Sequence, residues 1–409
     1  MASKLLDSKQ SIFMNRGSLQ KLDRWYGPRL SRLSWRFWTP LRKALEFRME
    51  RLVSIEVKNP DVLEGLISDN IGVMLTPNHS SHADPFAVYG ISDVVNCPMY
   101  FMVAWEVYGK ASWLKRLGLS HHGCFSVDRE GTDMRALRQA MEILQQAKFP
   151  LVVFPEGEIY HINERITPFR EGAASIALMA ARKSTRPVAC LPVGVRYYYV
   201  EDPTSELLEV MNQLEIKLFW RPRPDLSLPD RIYRIAEGIL ALKELEYTGQ
   251  VASTSIPERL HQLSDLVLKT VEQRHEIEPQ SGTIPERIKE ARRRIIKKYA
   301  EAEQQTDSNF LIKPLEKDLD DLYLVVQLFS YPGDYVREKP SLERIAETID
   351  KFEEDGLGFT QPRRRGTRKA IIEFGEPVVL EPGKKTRLKP AELTHQIEEQ
   401  VQSLLSQED

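Results

Sequence analysis

The sequence IGVMLTPNHSSHADPFAV, residues 71–88, joins a strand-like apolar run to a cluster of polar side chains. The run at 71–76 is aliphatic and has the length of a buried strand. The segment after it holds two histidines, two serines and one aspartate: His79, His82, Ser80, Ser81 and Asp84. Because α/β sheets place their chemistry at the carboxyl ends of strands, this loop is the first candidate for a functional site.

Strand-like apolar runs of the same kind recur over residues 52–200. Short runs of β-branched and aromatic residues alternate there with helix-like stretches, such as 171–182 and the one behind Thr132, a candidate N-cap. Strands are predicted at 52–57, 71–76, 99–104, 123–127, 150–154 and 188–195. The alternation predicts an α/β fold with a mixed central sheet flanked by helices.

The remaining sequence suggests how the chain is divided. After residue 204 it becomes charged and helix-favouring, with capping boxes at SIPER, 255–259, and TIPER, 283–287. Further helices are predicted at 231–246, 314–329 and 341–354, and strand character returns at 370–380. We therefore predict four parts: a basic amphipathic segment 1–51, an α/β domain of 52–203 with 369–385, a helical insertion 204–368, and a C-terminal helix 386–409.

Composition excludes several classes of protein. The three cysteines, Cys97, Cys124 and Cys190, have no paired spacing among the 409 residues, which argues against a disulfide framework or a cysteine-based zinc site and favours a reducing compartment. The sequence contains neither the apolar core of a secretory signal nor an uncharged apolar run of membrane-spanning length. We therefore expect a protein that does not span a membrane.

The loop at 78–84 favours acid–base chemistry. Asp84 and Pro85 are predicted to be the N-cap and first-turn proline of a helix, which would keep the aspartate ionised. An ionised carboxylate can orient a histidine, and the spacing suits His79 better than His82, whose closure is more strained. The alternatives are a polar surface loop without catalysis, and a metal site of His79, His82 and Asp84 that lacks an evident fourth ligand.

Three later blocks add candidate residues. GCFSVDRE at 123–130 ends a predicted strand with Arg129, whose planar cation suits bidentate phosphate binding. LVVFPEGEIYH at 151–161 runs into Gly157, which permits close backbone approach to a ligand. VACLPVGVRY at 188–197 is a strand with Pro192 inside it. Taken singly, these blocks also fit a surface arginine, an ordinary turn and an edge strand.

In this order and spacing, the four blocks resemble those of the glycerolipid acyltransferase family, which includes lysophosphatidic acid and glycerol-3-phosphate acyltransferases. The family patterns N-H-x-x-x-x-D, G-x-x-F-[IV]-D-R, F-P-E-G-T and an apolar block around proline correspond to segments 78–84, 123–129, 154–157 and 188–193. The resemblance covers roughly residues 50–200. It implies His79 as general base, Asp84 as its orienting carboxylate, and a substrate site formed by Asn78, Gly123, Arg129, Glu156 and Gly157.

Two blocks depart from the family pattern. Ser126 stands where the family usually has an aromatic residue, and the third block reads FPEGEIYHINERITPF in place of FPEGTRS. Arg165 or Arg170 is a candidate to replace the missing cation, and Arg165 is included in the predicted substrate site.

The resemblance implies acyl transfer from acyl-CoA or acyl carrier protein to a hydroxyl of glycerol-3-phosphate or a lysophospholipid. It implies no cofactor and no metal, since the thioester is already activated. The alternatives are a lipid esterase or thioesterase with Ser80 or Ser81 as nucleophile, although no G-x-S-x-G elbow is present, and a non-catalytic lipid-binding protein. The sequence does not choose the acceptor, the acyl chain, the donor or the oligomeric state.

The N-terminal segment suggests a peripheral membrane location on the cytoplasmic face. Residues 1–51 carry twelve Lys and Arg against four Asp and Glu. Within residues 25–52, apolar residues share one helical face, arginines lie beside it, and Pro40 is predicted to split the helix. The groups concerned are Leu30, Leu33, Phe37, Leu41 and Leu45, with Trp25, Trp35 and Trp38 as interfacial rings. The alternative is a helix whose apolar face packs on the α/β domain. No nucleic-acid-binding fold accompanies the arginines.

Overall fold

The computed structural model describes residues 24–129, 133–278, 282–303, 308–383 and 388–406. They divide into two compact units. The sheet unit contains residues 24–201 and 366–406, and the helical unit contains residues 202–365.

One mixed sheet lies at the centre of the sheet unit, which confirms the predicted α/β class. Its strands are β1 (Leu52–Lys58), β2 (Gly72–Pro77), β3 (Tyr100–Ala104), β4 (Cys124–Val127), β5 (Leu151–Val152), β6 (Val188–Tyr199), β7 (Arg368–Phe374) and β8 (Val378–Leu380). The order is β1-β7-β6-β2-β5-β3-β4, with β8 also beside β6. β7 and β8 run antiparallel to β6, and the other neighbours are parallel.

β6 changes partner along its length. On one edge its first residues pair with β8, and Val193 to Tyr199 pair with β7. Pro192 stands where that edge changes partner, a position at which a residue without an N–H is tolerated. On the other edge, β2 accompanies β6 only as far as Val193. The carboxyl half of β6 therefore continues past the end of β2, beside the loop at 78–84.

Strand alternation divides the apolar residues of the sheet between two clusters. Val73 and Leu75 belong to one cluster, and Met74 belongs to the other, as a period of two requires. The described helices before β6 are α1 (Arg32–Glu50), α2 (Pro60–Ser68), α3 (Asp84–Val94), α4 (Trp105–Gly109), α5 (Trp113–His121), α6 (Met134–Gln146) and α7 (Gly172–Lys183). Asp133 caps α6 by accepting bonds from two backbone N–H groups, whereas Thr132 lies outside the described residues.

Two predictions about helix ends are wrong. Pro40 does not split α1, which runs through it. Pro40 lacks the N–H that would donate to the carbonyl of Arg36, and both residues lie on the exposed side of the helix, where the loss of one hydrogen bond is tolerated. Asp84 is the first residue of α3 and Ala83 is the N-cap, because the Asp84 carboxylate is bonded to other groups of the loop.

The helical unit contains α8 (Thr204–Lys217), α9 (Leu228–Thr248), α10 (Ile256–Arg274), α11 (Ile284–Ala302), α12 (Ser308–Phe329), α13 (Tyr335–Glu338) and α14 (Leu342–Leu357). The capping boxes predicted at Ser255 and Thr283 are both formed. A separate apolar core lies among α9 to α12. The last helix, α15 (Pro390–Leu405), returns to the sheet unit and packs on α7 and β6. None of the described helices has the length and hydropathy to cross a bilayer.

Candidate active site

The site is centred on the loop that follows β2. His79 Nδ1 lies 2.8 Å from Asp84 Oδ2, and the Asp84 side chain has no exposed surface. Four residues separate the two side chains in sequence, and the turn into α3 brings them together. The pairing involves His79 and not His82, whose ring lies beside that of His161 with 5.8 Å between centroids.

Asp84 accepts hydrogen bonds through both carboxylate oxygens. Besides the contact with His79, Oδ2 accepts from the backbone N–H of Ser81 at 2.9 Å, and Oδ1 accepts from the Tyr197 hydroxyl at 2.7 Å. Both carboxylate oxygens of Asp84 therefore act as hydrogen-bond acceptors. We infer that His79 Nδ1 carries the proton and donates it to this bond, which leaves Nε2 as the acceptor nitrogen.

The rest of His79 is fixed from two further directions. Its ring stacks on Phe154, with 4.2 Å between centroids and 25° between planes. Its backbone N–H donates to Glu156 Oε1 at 2.6 Å. Nε2 makes no hydrogen bond to any residue that the structure describes, and the side chain is 15% exposed. The acceptor nitrogen is therefore available to a ligand while the ring is held in place.

Glu156 is a buried carboxylate that ties two loops together. It accepts from His79 N, and its Oε2 accepts from the Thr167 N–H at 3.1 Å and from the Thr167 hydroxyl. Burial raises the pKa of Glu156 above its ordinary value, while the hydrogen bonds from Thr167 and His79 act in the opposite direction. Glu156 thus positions the loop at 78–84 through the backbone of His79.

Two asparagines occupy the free edge of β6 beyond β2. The Asn78 amide donates to the carbonyl of Val195 at 3.0 Å and accepts from its N–H at 2.7 Å. Asn163 makes the same pair of bonds to Tyr197, at 3.0 and 2.9 Å. These side chains satisfy backbone groups that a neighbouring strand would otherwise pair. They dock the loops at 78–84 and 157–167 onto the strand that carries Tyr197.

Arg129 reaches the same turn as Glu156. Its Nη1 donates to the carbonyl of Gly157 at 2.6 Å and lies 3.0 Å from Glu158 Oε2, and its Nη2 lies 3.2 Å from Glu106 Oε1. Gly157 has φ +77, and an added Cβ would lie 2.7 Å from Arg170 Nε. Since Glu156 and Gly157 are adjacent, His79 and Arg129 are attached to one turn.

Of the other predicted substrate residues, Gly123 lies away from the loop at 78–84. Gly123 precedes β4 and lies at the amino end of that strand. His79 follows the carboxyl end of β2, so the two residues lie at opposite ends of the parallel strands. Its φ is +85 and an added Cβ would lie 2.4 Å from the carbonyl oxygen of Met99, which accounts for a glycine there without a ligand. Arg165 is half-buried in the loop between Asn163 and Thr167. Ser126 hydrogen-bonds to the backbone of Tyr26, with Oγ accepting from its N–H at 3.0 Å.

Neither serine of the loop is bonded to a histidine. Ser81 Oγ accepts from the N–H of Ala83 at 3.2 Å, and Ser80 Oγ is buried without a hydrogen-bond partner among the described residues. A serine nucleophile needs a base within hydrogen-bond reach. The arrangement therefore suits His79 as a base acting directly on a bound group and gives no support to a serine route.

Sequence reasoning missed four residues of this constellation: Tyr197, Asn163, Thr167 and Glu106. Tyr197 stood inside the fourth block, and the alternation of Val193, Val195 and Tyr197 along β6 was the only signal for it. Nothing in the sequence pairs Glu106 with Arg129.

A buried carboxylate bonded to one imidazole nitrogen, with the other nitrogen open, is the arrangement of a general base. A comparison with family profiles agrees with that chemistry. The profile described as Acyltransferase matches residues 54–196, about a third of the chain, from β1 into β6. The comparison with curated proteins gave no match.

Proposed function

From the match of residues 54–196 to the acyltransferase profile, we propose the reaction that the whole protein catalyses. It moves a fatty acyl group from a thioester donor, acyl-CoA or acyl carrier protein, to a hydroxyl of a glycerol phosphate or lysophospholipid. The observation that carries the proposal is the 2.8 Å contact of His79 with buried Asp84.

In the proposed reaction His79 Nε2 takes the proton of the acceptor hydroxyl. The oxygen attacks the thioester carbonyl carbon, and the tetrahedral intermediate collapses with cleavage of the carbon–sulfur bond. The imidazolium returns its proton to the leaving thiolate, so the histidine is regenerated and no acyl-enzyme forms. Asp84 stabilises the imidazolium through Nδ1, and backbone N–H groups of the loop stabilise the oxyanion.

To test this function, purified protein is incubated with a radiolabelled donor, either acyl-CoA or acylated acyl carrier protein. The acceptors are a panel of lysolipids and glycerol-3-phosphate. Chromatography identifies whatever becomes labelled. We expect His79→Ala to lower turnover by at least about a hundredfold, the usual lower limit for loss of a general base. His395→Ala is the matched control, because that imidazole is exposed on α15. Retention of turnover in His79→Ala would remove the assignment.

We also propose that the sheet unit binds the cytoplasmic surface of a membrane. The apolar face of α1 is exposed and not packed on the sheet, with Leu33 at 83% and Phe37 at 75%. Arg32 and Arg36 are exposed on the same helix, whereas Trp35 is buried, so its predicted role as an interfacial ring is wrong.

α5 adds exposed Trp113 and Leu114 beside α1. The two helices meet where Ser34 Oγ lies 3.2 Å from His121 Nδ1. Apolar and basic groups together favour an anionic lipid surface.

Co-sedimentation with liposomes tests the membrane proposal. The variant Leu33→Glu with Phe37→Glu should lose most binding to vesicles that contain anionic lipid. Phe219→Glu is the control, since Phe219 is 96% exposed in the helical unit. Equal binding by both variants would exclude α1 as the contact.

A further inference from the structure

Two arginines beside the catalytic loop share one carboxylate. Glu158 Oε2 lies 3.0 Å from Arg129 Nη1, and Glu158 Oε1 lies 3.7 Å from Arg170 Nη2. A phosphate group held by two guanidinium groups would present its oxygens in the same manner. Glu158 therefore occupies the position between the cations that an anionic group of a ligand would take.

Two donor nitrogens of Arg129 are also engaged elsewhere. Nη1 bonds to the Gly157 carbonyl and Nη2 bonds to Glu106, whereas Nε is buried without a hydrogen-bond partner among the described residues. The pKa of Arg129 is raised, first by Glu158 and also by Glu106, so the arginine stays cationic. Two arginines face two carboxylates, and these four side chains carry no net charge.

The loop keeps Glu158 in this position. Gly157, the preceding residue, adopts a left-handed backbone conformation with φ +77, and the side chain of Arg170 packs against it. Asn163 and Thr167 fasten the following stretch to β6 and to Glu156. A carboxylate displaced from Arg129 would consequently stay beside any group that replaced it.

We infer that Glu158 is a specificity-determining residue that disfavours acceptors with a phosphomonoester. Such a group carries a charge of about −1.5 to −2 at pH 7, and it would meet Glu158 and Glu106 as well as the arginines. The site instead suits a hydroxyl acceptor whose headgroup is uncharged or is a phosphodiester, such as a zwitterionic lysophospholipid. The inference rests on the proposed acyl transfer and revises its acceptor class, since it disfavours the phosphomonoesters and adds acceptors with an uncharged headgroup.

The test compares three acceptors with the same acyl chain: lysophosphatidic acid, lysophosphatidylcholine and monoacylglycerol. Each is presented at low mole fraction in neutral detergent micelles, so that surface charge is constant, with radiolabelled acyl-CoA or acyl carrier protein as donor. The full-length protein is compared with Glu158→Gln, which keeps the size and removes the charge. Glu171→Gln is the matched control, because Glu171 is exposed at the start of α7 and no described side-chain contact links it to the arginines.

We expect the unaltered protein to have a higher kcat/KM for lysophosphatidylcholine or monoacylglycerol than for lysophosphatidic acid. Glu158→Gln should raise the ratio for lysophosphatidic acid over lysophosphatidylcholine at least about fivefold, the effect of one unit charge at about 4 Å in water-like surroundings. Glu171→Gln should leave that ratio unchanged. A preference for lysophosphatidic acid that Glu158→Gln weakens or leaves intact would overturn the inference alone. Failure to label any acceptor with either donor would overturn the proposed function and the inference with it.

Discussion

The hydroxyl of Tyr197 donates a 2.7 Å hydrogen bond to Asp84 Oδ1, although 113 residues separate them in sequence. Burial, followed by the charge of Asp84, raises the pKa of Tyr197 well above its ordinary value, so the phenol stays protonated and acts as a donor. Asp84 therefore contacts His79 through one carboxylate oxygen and accepts a hydrogen bond from Tyr197 through the other.

Removal of that hydroxyl should change the pH dependence of catalysis. In Tyr197→Phe more of the negative charge of Asp84 acts on His79, which favours the protonated imidazole. We expect the acid limb of the kcat/KM profile to move to higher pH. Tyr198→Phe, which removes a hydroxyl without a bond to Asp84, is the control. Superimposable profiles for the two variants would show that Tyr197 has only a structural role.

Replacement of Asp84 by asparagine should remove most catalysis without removing the fold. The amide cannot stabilise an imidazolium, and we expect turnover to fall by about 10² to 10⁴. Asp93→Asn is a suitable comparison, because Asp93 lies at the other end of α3 and pairs with Arg42. Steady-state kinetics with thermal unfolding of both variants checks the prediction, and it fails if Asp84→Asn turns over like Asp93→Asn.

Asn163 should contribute to stability as well as to placement of its loop. Asn163→Ala leaves the buried N–H and carbonyl of Tyr197 without their partners. The expected loss in free energy of unfolding is about 1–3 kcal/mol, the usual cost of an unsatisfied buried group. Urea denaturation followed by circular dichroism measures it. An unchanged midpoint and slope would mean that water replaces the amide at no cost.

Glu156 should make stability depend on pH in a defined direction. Because burial raises its pKa, the folded protein holds this proton more tightly than the unfolded chain. Its contribution is fully present below the ordinary carboxyl pKa and is lost as pH rises through the raised folded value. The free energy of unfolding of the unaltered protein, measured relative to Glu156→Gln, should therefore fall over that window. A difference that grew with pH would mean that the bonds from Thr167 and His79 outweigh burial.

The sequence was sufficient for the features that depend on local pattern. Alternating strand and helix signals predicted the mixed sheet, and the return of strand character at 370–380 lies where β7 and β8 form. The capping boxes at Ser255 and Thr283 formed because their donors and acceptors are three residues apart. His79 and Asp84 came together for the same reason, since one loop turn joins them.

The features that it did not reveal depend on distant partners. Glu106 reaches Arg129 across 23 residues and Asn163 reaches Tyr197 across 34, and neither pair has a spacing rule. Gly123 was predicted as a substrate residue from its place in a block. The structure explains this glycine by the close approach of the Met99 carbonyl, which leaves no room for a Cβ. The acceptor preference that we infer from Glu158 depends on such pairings and not on the blocks themselves.

The position of β7 between β1 and β6 has a consequence for synthesis of the chain. β6 emerges from the ribosome after β2, its neighbour on one edge, yet β7, its neighbour on the other edge, is translated only after the whole of 202–365. Until then the nascent protein carries a long strand with one open edge. The sheet is thus completed only after the helical unit has been translated, and a chain cut short within residues 202–365 would leave this edge of β6 without β7.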